Sequence, residues 1–242
     1  MRRFSFVCCI NRPALAQRCL LASPCLRPEE GHQLILVAQA TSAGDGMRTA
    51  LALAKHEWLV MVHQDVYLPQ GWDARFGRAL DAALAQAPRV AVVGVYGLQA
   101  DATHVGYVYD RDRWIGEPLT QAQPVRSLDE LLVAVRVSSG LCPAPELGWH
   151  LYGTDVCLSA EARQLQSVVV DAPCEHRSTL PRIHPQMDES TRAELLQVAQ
   201  VYGDSASALL QRWPHATPIH TPVMSLTHDF RPEQLLAWVR QA

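Results

Sequence analysis

The chain is nearly without lysine: Lys55 is the only one in 242 residues, and the rest of its 21 Lys and Arg side chains are arginines. With a formal net charge of -3, it has no basic footprint for nucleic acid and no polybasic anchor for a membrane surface. It also lacks any CxxC pair, which removes the usual ligand spacing of structural zinc. Seven cysteines are an odd number, scattered, with Cys8 and Cys9 adjacent in an apolar run; this suits buried free thiols in a reducing compartment better than a disulfide framework. No apolar window approaches the length of a membrane span. The opening "MRRFSFVCCINRP" has an apolar run too short for a secretory leader, cut by Asn11, Arg12 and Pro13, and reads as a first strand. The expectation is a soluble, cytoplasmic protein, without internal repeats or low-complexity tracts.

What the chain does contain is alternation. Strand-like and helix-like segments follow one another at Phe4–Ile10, Ala14–Leu21, Leu34–Ala38, Met47–Lys55 and Trp58–Val62, the pattern of βαβ units with a mainly parallel sheet. Phe76, Leu80 and Leu84 mark a further helix ended by Pro88, and "VAVVGVYG" a further buried strand. Periodicity lapses between Leu98 and Arg126, which predicts a long loop or hairpin over the sheet edge, a place where binding surfaces are built. "LDELLVAVRV" fits strand or helix. "TDVCLSAEARQ" predicts a helix capped near Thr154 or Asp155, and "SVVVDAPC" a strand. Beyond about residue 185 the pattern changes to three helices, the first ended by Gly203, the second by Pro214 and the third begun by Pro232. The division is therefore an α/β unit over 1–185 and a helical extension over 186–242 packed on it.

Within this frame "EWLVMVHQDVYLPQGW" places His63 and Asp65 at the C-terminal tip of a strand apolar enough to be covered on both faces. In open α/β sheets that edge binds ligands, so the pair reads either as metal or phosphate ligands or as a solvated turn.

In order along the chain, "FSFVCCINRP", "AGDGMRTALALAKHEWLVMVHQDVYLPQGW", "GWHLYGTDVCLSA" and "DAPCEH" resemble the GT-A nucleotide-sugar glycosyltransferases, specifically family 2-like proteins with "HQDV" in place of the usual Asp-x-Asp. The resemblance covers about the first three quarters of the chain; the tail has no clear counterpart. It implies a Rossmann-like three-layer α/β sandwich with a mainly parallel mixed sheet. It further implies a sugar nucleotide as donor, a glycan or small molecule as acceptor, inversion at the anomeric carbon, and a divalent cation, Mn²⁺ or Mg²⁺, held against the donor diphosphate.

By the same resemblance, Asp65 and His176 are metal ligands. His63 takes the first position of the acidic motif, as a donor contact or a packed strand-end histidine. Donor contacts fall on Ile10, Asn11, Gln39, Arg48 and Gln64 as well, although Gln39 and Arg48 depart from the superfamily pattern of acidic residues after the second strand and Asn at the helix start. Asp155 takes the place of the general base, or is an ordinary helix cap. Trp149, His150 and Tyr152 face the acceptor or pack, and Arg177 is an alternative phosphate partner. The competing implication is a GT-A-like binding module without turnover, or an assembly subunit docked through its helical tail.

Overall fold

A computed structural model describes residues 2–181, 183–184 and 186–241. Strand β1 (Ser5–Cys9) leads through α1 (Pro13–Arg18) and short helical turns to β2 (Gln33–Val37), α2 (Ala43–Leu53), β3 (Trp58–Val62), β4 (Val66–Tyr67), α3 (Trp72–Gln86) and β5 (Val90–Gly94). Next come β6 (Tyr96–Leu98), β7 (His104–Asp110), β8 (Arg113–Gly116), β9 (Gln123–Pro124), β10 (Ser127–Leu128) and β11 (Leu132–Arg136). The chain continues with α4 (Tyr152–Ala162), β12 (Gln166–Val169), β13 (Glu175–His176), α5 (Glu189–Arg212), a small hairpin of β14 (Ile219–His220) and β15 (Ser225–Leu226), and α6 (Pro232–Gln241).

Seven strands form a mixed sheet in the order β2-β1-β3-β11-β5-β12-β9, with β1 parallel to both β2 and β3. Alternation along the strands sends side chains into two cores. Phe4, Phe6, Val60 and Val62 meet Trp72, Phe76 and Leu80 of α3 on one face. Val7, Leu59 and Met61 meet Met47 and Ala50 of α2, and Val156 and Ala160 of α4, on the other. The result is an α/β/α sandwich whose central strand β3 is buried at every position. Helix α2 is entered through a reciprocal cap: Ser42 Oγ accepts from Asp45 N at 3.1 Å, and Asp45 Oδ2 accepts from Thr41 N at 3.0 Å.

Three segments depart from the sequence reading. The stretch from Leu98 to Arg126 is largely paired, contributing to a second sheet in the order β10-β6-β7-β13-β4 with β8 beside β7. Glycine permits this: Gly116 has φ +77°, and a Cβ there would sit 2.1 Å from the Gly106 carbonyl oxygen. "LDELLVAVRV" resolves into the end of β10, a turn and β11, which lies antiparallel between β3 and β5. Gly203 does not end a helix. Helix α5 runs straight through it, and the missing side chain lets α6 approach, since a Cβ would stand 2.8 Å from Cβ of Pro232.

The boundary residue Pro185 lies outside the described residues. The chain after it packs on the α/β unit: Tyr202, Ala206, Leu209, Ile219 and Phe230 close over Ala144, Leu147, Leu151 and Leu158.

Candidate metal and donor site

The tip of β3 turns tightly into β4, with Val66 N donating to the His63 carbonyl at 3.2 Å. That turn holds His63 and Asp65 together. Antiparallel pairing of β4 with β13 sets His176 opposite Val66, and Arg177 N donates to the Asp65 carbonyl at 2.8 Å. On its other side β13 runs parallel to β7, which brings Asp110 level with His176. His176 and Asp110, far downstream of the motif in sequence, are thus brought to it by backbone ladders rather than by side-chain attraction.

The hydrogen bonds then fix which nitrogen each imidazole turns inward. The Tyr152 hydroxyl donates its single hydrogen to the Glu130 carbonyl at 2.8 Å, so its contact with His63 Nε2 at 2.9 Å must be one it accepts. His63 Nε2 is therefore protonated and Nδ1 carries the lone pair, 4.0 Å from Asp65 Oδ1. Asp110 Oδ1 accepts from His176 Nδ1 at 2.9 Å, and His176 Nε2 stands 3.6 Å from Asp65 Oδ2.

Burial opposes the His176 cation, but the bonds to Asp110 and Asp65 outweigh it and raise its pKa to about 10. Burial alone would likewise raise the Asp65 carboxyl; the bond to His176 and the nearby imidazoles bring it below the usual carboxylate value. His63 is held neutral, its pKa lowered by burial and by the His176 cation against the pull of Asp65.

The ligand atoms of His63, Asp65 and His176 all lie within 4.8 Å of one another. Donors bound to one ion at about 2.1 Å stand roughly 3.0 to 4.2 Å apart, so a small side-chain adjustment brings the three onto a single divalent cation. Each histidine has an outer hydrogen-bond partner that orients it, the arrangement expected of metal-ligating imidazoles.

A cleft of about 270 Å³ opens beside this group, lined by Cys9, Ile10, Asn11, Val37, Ala38, Ala40, Met61, Val62, Gln64 and Trp149 together with His63, Asp65 and Tyr152. Gln64 knits its floor: Oε1 accepts from Arg12 N at 2.9 Å, and Nε2 donates to Asn11 Oδ1. Ile10, Asn11, His63, Gln64 and Asp65 line the cleft, and His176 stands with His63 and Asp65 at its edge. Gln39 and Arg48 are exposed and do not line the cleft. Gln39 lies in the loop after β2, and Arg48 lies within α2. Trp149 stands at the rim, 40% exposed. Tyr152 is buried, its hydroxyl committed to Glu130 and His63. His150 packs beside Tyr202 with ring centroids 5.6 Å apart, and burial, with His63 adding to it, pushes its pKa down to about 4. Arg177 lies over Tyr67 and pairs with Glu175 at 2.7 Å.

Asp155 is not brought to the cleft. Its carboxylate is fully buried, with Oδ2 accepting from Ala144 N at 2.9 Å and Oδ1 from Arg212 Nε at 2.8 Å and Trp213 Nε1 at 2.7 Å. Nor does it cap α4, which starts at Tyr152 after Leu151 in a left-handed conformation at φ 63°. The carboxylate binds α4 to the loop before it and to the end of α5. Two residues of the site were missed in the sequence, Asp110 and Glu130. Asp110 follows "GYVY", a short strand-like run whose aromatic outer face obscured the period; for Glu130 no local signal existed.

Among the described residues no helix is long and apolar enough to cross a membrane. No family profile matches the chain. A curated sequence from Fuscovulum blasticum, described as ATP synthase subunits region ORF 6, is 28% identical over 137 residues, covering 52% of this chain and about half (53%) of that protein. Among solved structures, the mannosyltransferase PcManGT from Pyrobaculum calidifontis, in complex with GDP-Man and Mn²⁺, aligns over 100% of this chain and 70% of its own with a TM-score of 0.55 at 12% identity. S. aureus TarS 1-349 aligns over 99% of this chain and 78% of its own, with a TM-score of 0.41 at 10% identity. The mixed sheet, its two covering helical layers and the PcManGT alignment give the chain a GT-A glycosyltransferase-like fold.

Proposed function

We propose that the protein is a metal-dependent glycosyltransferase, moving a sugar from a nucleotide donor to a hydroxyl of a glycan or small-molecule acceptor with inversion. One observation carries the reading: two imidazoles, each oriented by an outer hydrogen bond, converge with Asp65 at the C-terminal edge of the sheet beside an open cleft of about 270 Å³. Base and ribose lie against Cys9, Ile10, Val37 and Ala38, with Asn11 and Gln64 offering amides. The diphosphate reaches toward His63, Asp65 and His176. Two nitrogens and one carboxylate favour Mn²⁺ over the harder Mg²⁺, which prefers oxygen throughout. When bound, the cation neutralises charge that builds on the departing diphosphate. The chain's own part is to hold both imidazoles in the required tautomer and to offer Trp149 at the rim as a ring on which an acceptor sugar stacks. That the solved PcManGT complex contains GDP-Man and Mn²⁺ supports this reading.

The test is calorimetric titration of the full chain with Mn²⁺, then with uridine and guanosine diphosphates, followed by a screen of sugar nucleotides for nucleoside diphosphate release. Binding of diphosphate that needs Mn²⁺ in the parent and is lost in His176→Ala supports the site; metal-independent binding refutes it. A second reading, a sugar-nucleotide binding module without turnover, draws on the burial of Asp155 away from the cleft. It predicts the same titrations and no release of diphosphate.

A further inference from the structure

We propose that Tyr152 is a positioning residue for the cation, committing His63 to bind it through Nδ1, a role that rests on the metal-dependent reading above. Tyr152 lines the cleft and is 1% exposed. Its hydroxyl lies between the Glu130 carbonyl at 2.8 Å and His63 Nε2 at 2.9 Å. A carbonyl carries no hydrogen, so the hydroxyl donates to it and can release His63 only by abandoning that buried bond.

The backbone holds the phenolic oxygen in place. The turn between β10 and β11 supplies the Glu130 carbonyl, and the next carbonyl along, that of Leu131, accepts from His63 N at 3.1 Å. His63 is thus registered to one turn through its main chain and, by way of Tyr152, through its side chain. Gly153 lets the first turn of α4 close on β10, since a Cβ there would stand 2.5 Å from the Leu128 carbonyl oxygen. Beside it, Ser127 Oγ and Thr154 Oγ1 share a hydrogen bond of 2.8 Å. Leu151 enters the helix at φ 63°, a left-handed conformation that a residue other than glycine keeps only where its surroundings impose it.

The consequence falls on the side of His63 that meets Asp65. With the ring proton on Nε2, the bare Nδ1 stands 4.0 Å from Asp65 Oδ1 with no hydrogen between them, an arrangement that a cation would resolve. Left alone, the carboxylate would draw the ring proton to Nδ1, because a charged acceptor outcompetes a neutral hydroxyl, and the imidazole would then be closed to a metal. Tyr152 opposes that exchange: the other tautomer would set a bare Nε2 against an oxygen whose hydrogen is already given to Glu130. His176 is turned the other way, with Nδ1 given to Asp110 and Nε2 directed to Asp65, so the two histidines present unlike nitrogens to one point. Tyr152 thereby serves the metal rather than the acceptor sugar.

The test uses the full chain, first without metal and then with Mn²⁺. In the metal-free parent at about pH 8, above the ordinary histidine range, ¹⁵N NMR of the imidazoles should show His63 protonated at Nε2 and bare at Nδ1. Tyr152→Phe keeps the ring and removes the oxygen. The His63 Nδ1 signal should then move toward the protonated position, and Mn²⁺ affinity by calorimetry should fall about 10- to 100-fold. A merely structural tyrosine would not exchange the two nitrogens of one imidazole. A proton on Nδ1 of His63 in the parent overturns the assignment, as does a folded Tyr152→Phe that keeps either the parental tautomer or the parental Mn²⁺ affinity; both results leave the metal-dependent reading intact. Loss of cooperative folding in Tyr152→Phe also overturns it, because the hydroxyl would then serve folding. A parent with the expected tautomer that binds no Mn²⁺ overturns the metal-dependent reading, and the role of Tyr152 with it.

Discussion

Asp155 and Trp213 are joined by a hydrogen bond of 2.7 Å from the indole Nε1 to Oδ1, the same oxygen that Arg212 Nε reaches at 2.8 Å. The arrangement takes a buried carboxylate from the first turn of α4 and spends both its oxygens on structure. Asp155→Ala strands a buried indole N–H and the Ala144 amide, while the guanidinium, 44% exposed, recovers water. We expect a loss of about 2 to 4 kcal/mol in urea unfolding. Asp155→Asn, which keeps one acceptor oxygen, should cost roughly half as much and leave turnover per folded molecule near the parent value. A collapse of turnover at unchanged stability would return Asp155 to the chemistry.

If His176 ligates the metal as proposed, removing the partner of its imidazole should weaken the metal without removing a ligand. Asp110→Asn is expected to lower Mn²⁺ affinity about 10- to 100-fold, and Asp65→Ala to abolish measurable binding. Titration followed by electron paramagnetic resonance of free Mn²⁺ reads both. Equal affinities in parent and Asp110→Asn would show that His176 needs no orienting carboxylate.

Metal uptake should release a proton. In the metal-free chain His176 has its pKa raised to about 10 by Asp110 and Asp65 against the cost of burial, so at neutral pH the ligand nitrogen is protonated. Mn²⁺ affinity should therefore climb by about one decade per pH unit through the neutral range and level off near pH 10. Calorimetry in buffers of differing ionisation enthalpy should count about one proton released. The same shift gives the metal-free fold a contribution that is complete below the unfolded histidine value of 6.5 and fades as pH rises through about 10.

His150 acts in the opposite sense. Its folded pKa lies near 4, against 6.5 when free, because burial and then the nearby His63 disfavour the cation. The unfolded chain binds the extra proton between these values, so stability is full above pH 6.5 and falls as pH drops toward 4, by at most about 3 kcal/mol. His150→Gln should flatten that segment of the stability profile. An unaltered slope would place the acid sensitivity elsewhere.

Much of the candidate site is legible in the chain because it is local. A fully buried strand ending in His63 and Asp65 states both its position in the sheet and the edge at which its polar residues emerge. His176 was reached through the order of segments, which β13 pairing between β4 and β7 realises in space. Asp155 misled for a physical reason. A carboxylate opening a helical run looks the same whether it faces a cleft or lies beneath a tryptophan 58 residues on. Gly203 misled similarly: a glycine that admits Pro232 and one that stops a helix are identical in sequence, and only the path of α6 separates them. Asp110 was hidden by its hairpin, where Tyr107 stacks on Trp114 with centroids 4.4 Å apart, so the outward positions are as apolar as the inward ones and the two-residue period disappears.

The clasp between α4 and the end of α5 also bears on synthesis. Domains fold from the N-terminus as they leave the ribosome, and the strands carrying His63, Asp65 and His176 emerge before Arg212 and Trp213. The nascent chain can therefore assemble its metal-facing edge while the segment bearing Trp149, His150 and Tyr152 still lacks its C-terminal anchor. During that interval a buried aspartate has no partner from α5, and the wall of the cleft is held from one side only. Arg212 and Trp213 set when the two walls come together, and a chain halted before these two have left the ribosome could gather the proposed metal ligands without yet closing the surface across from them.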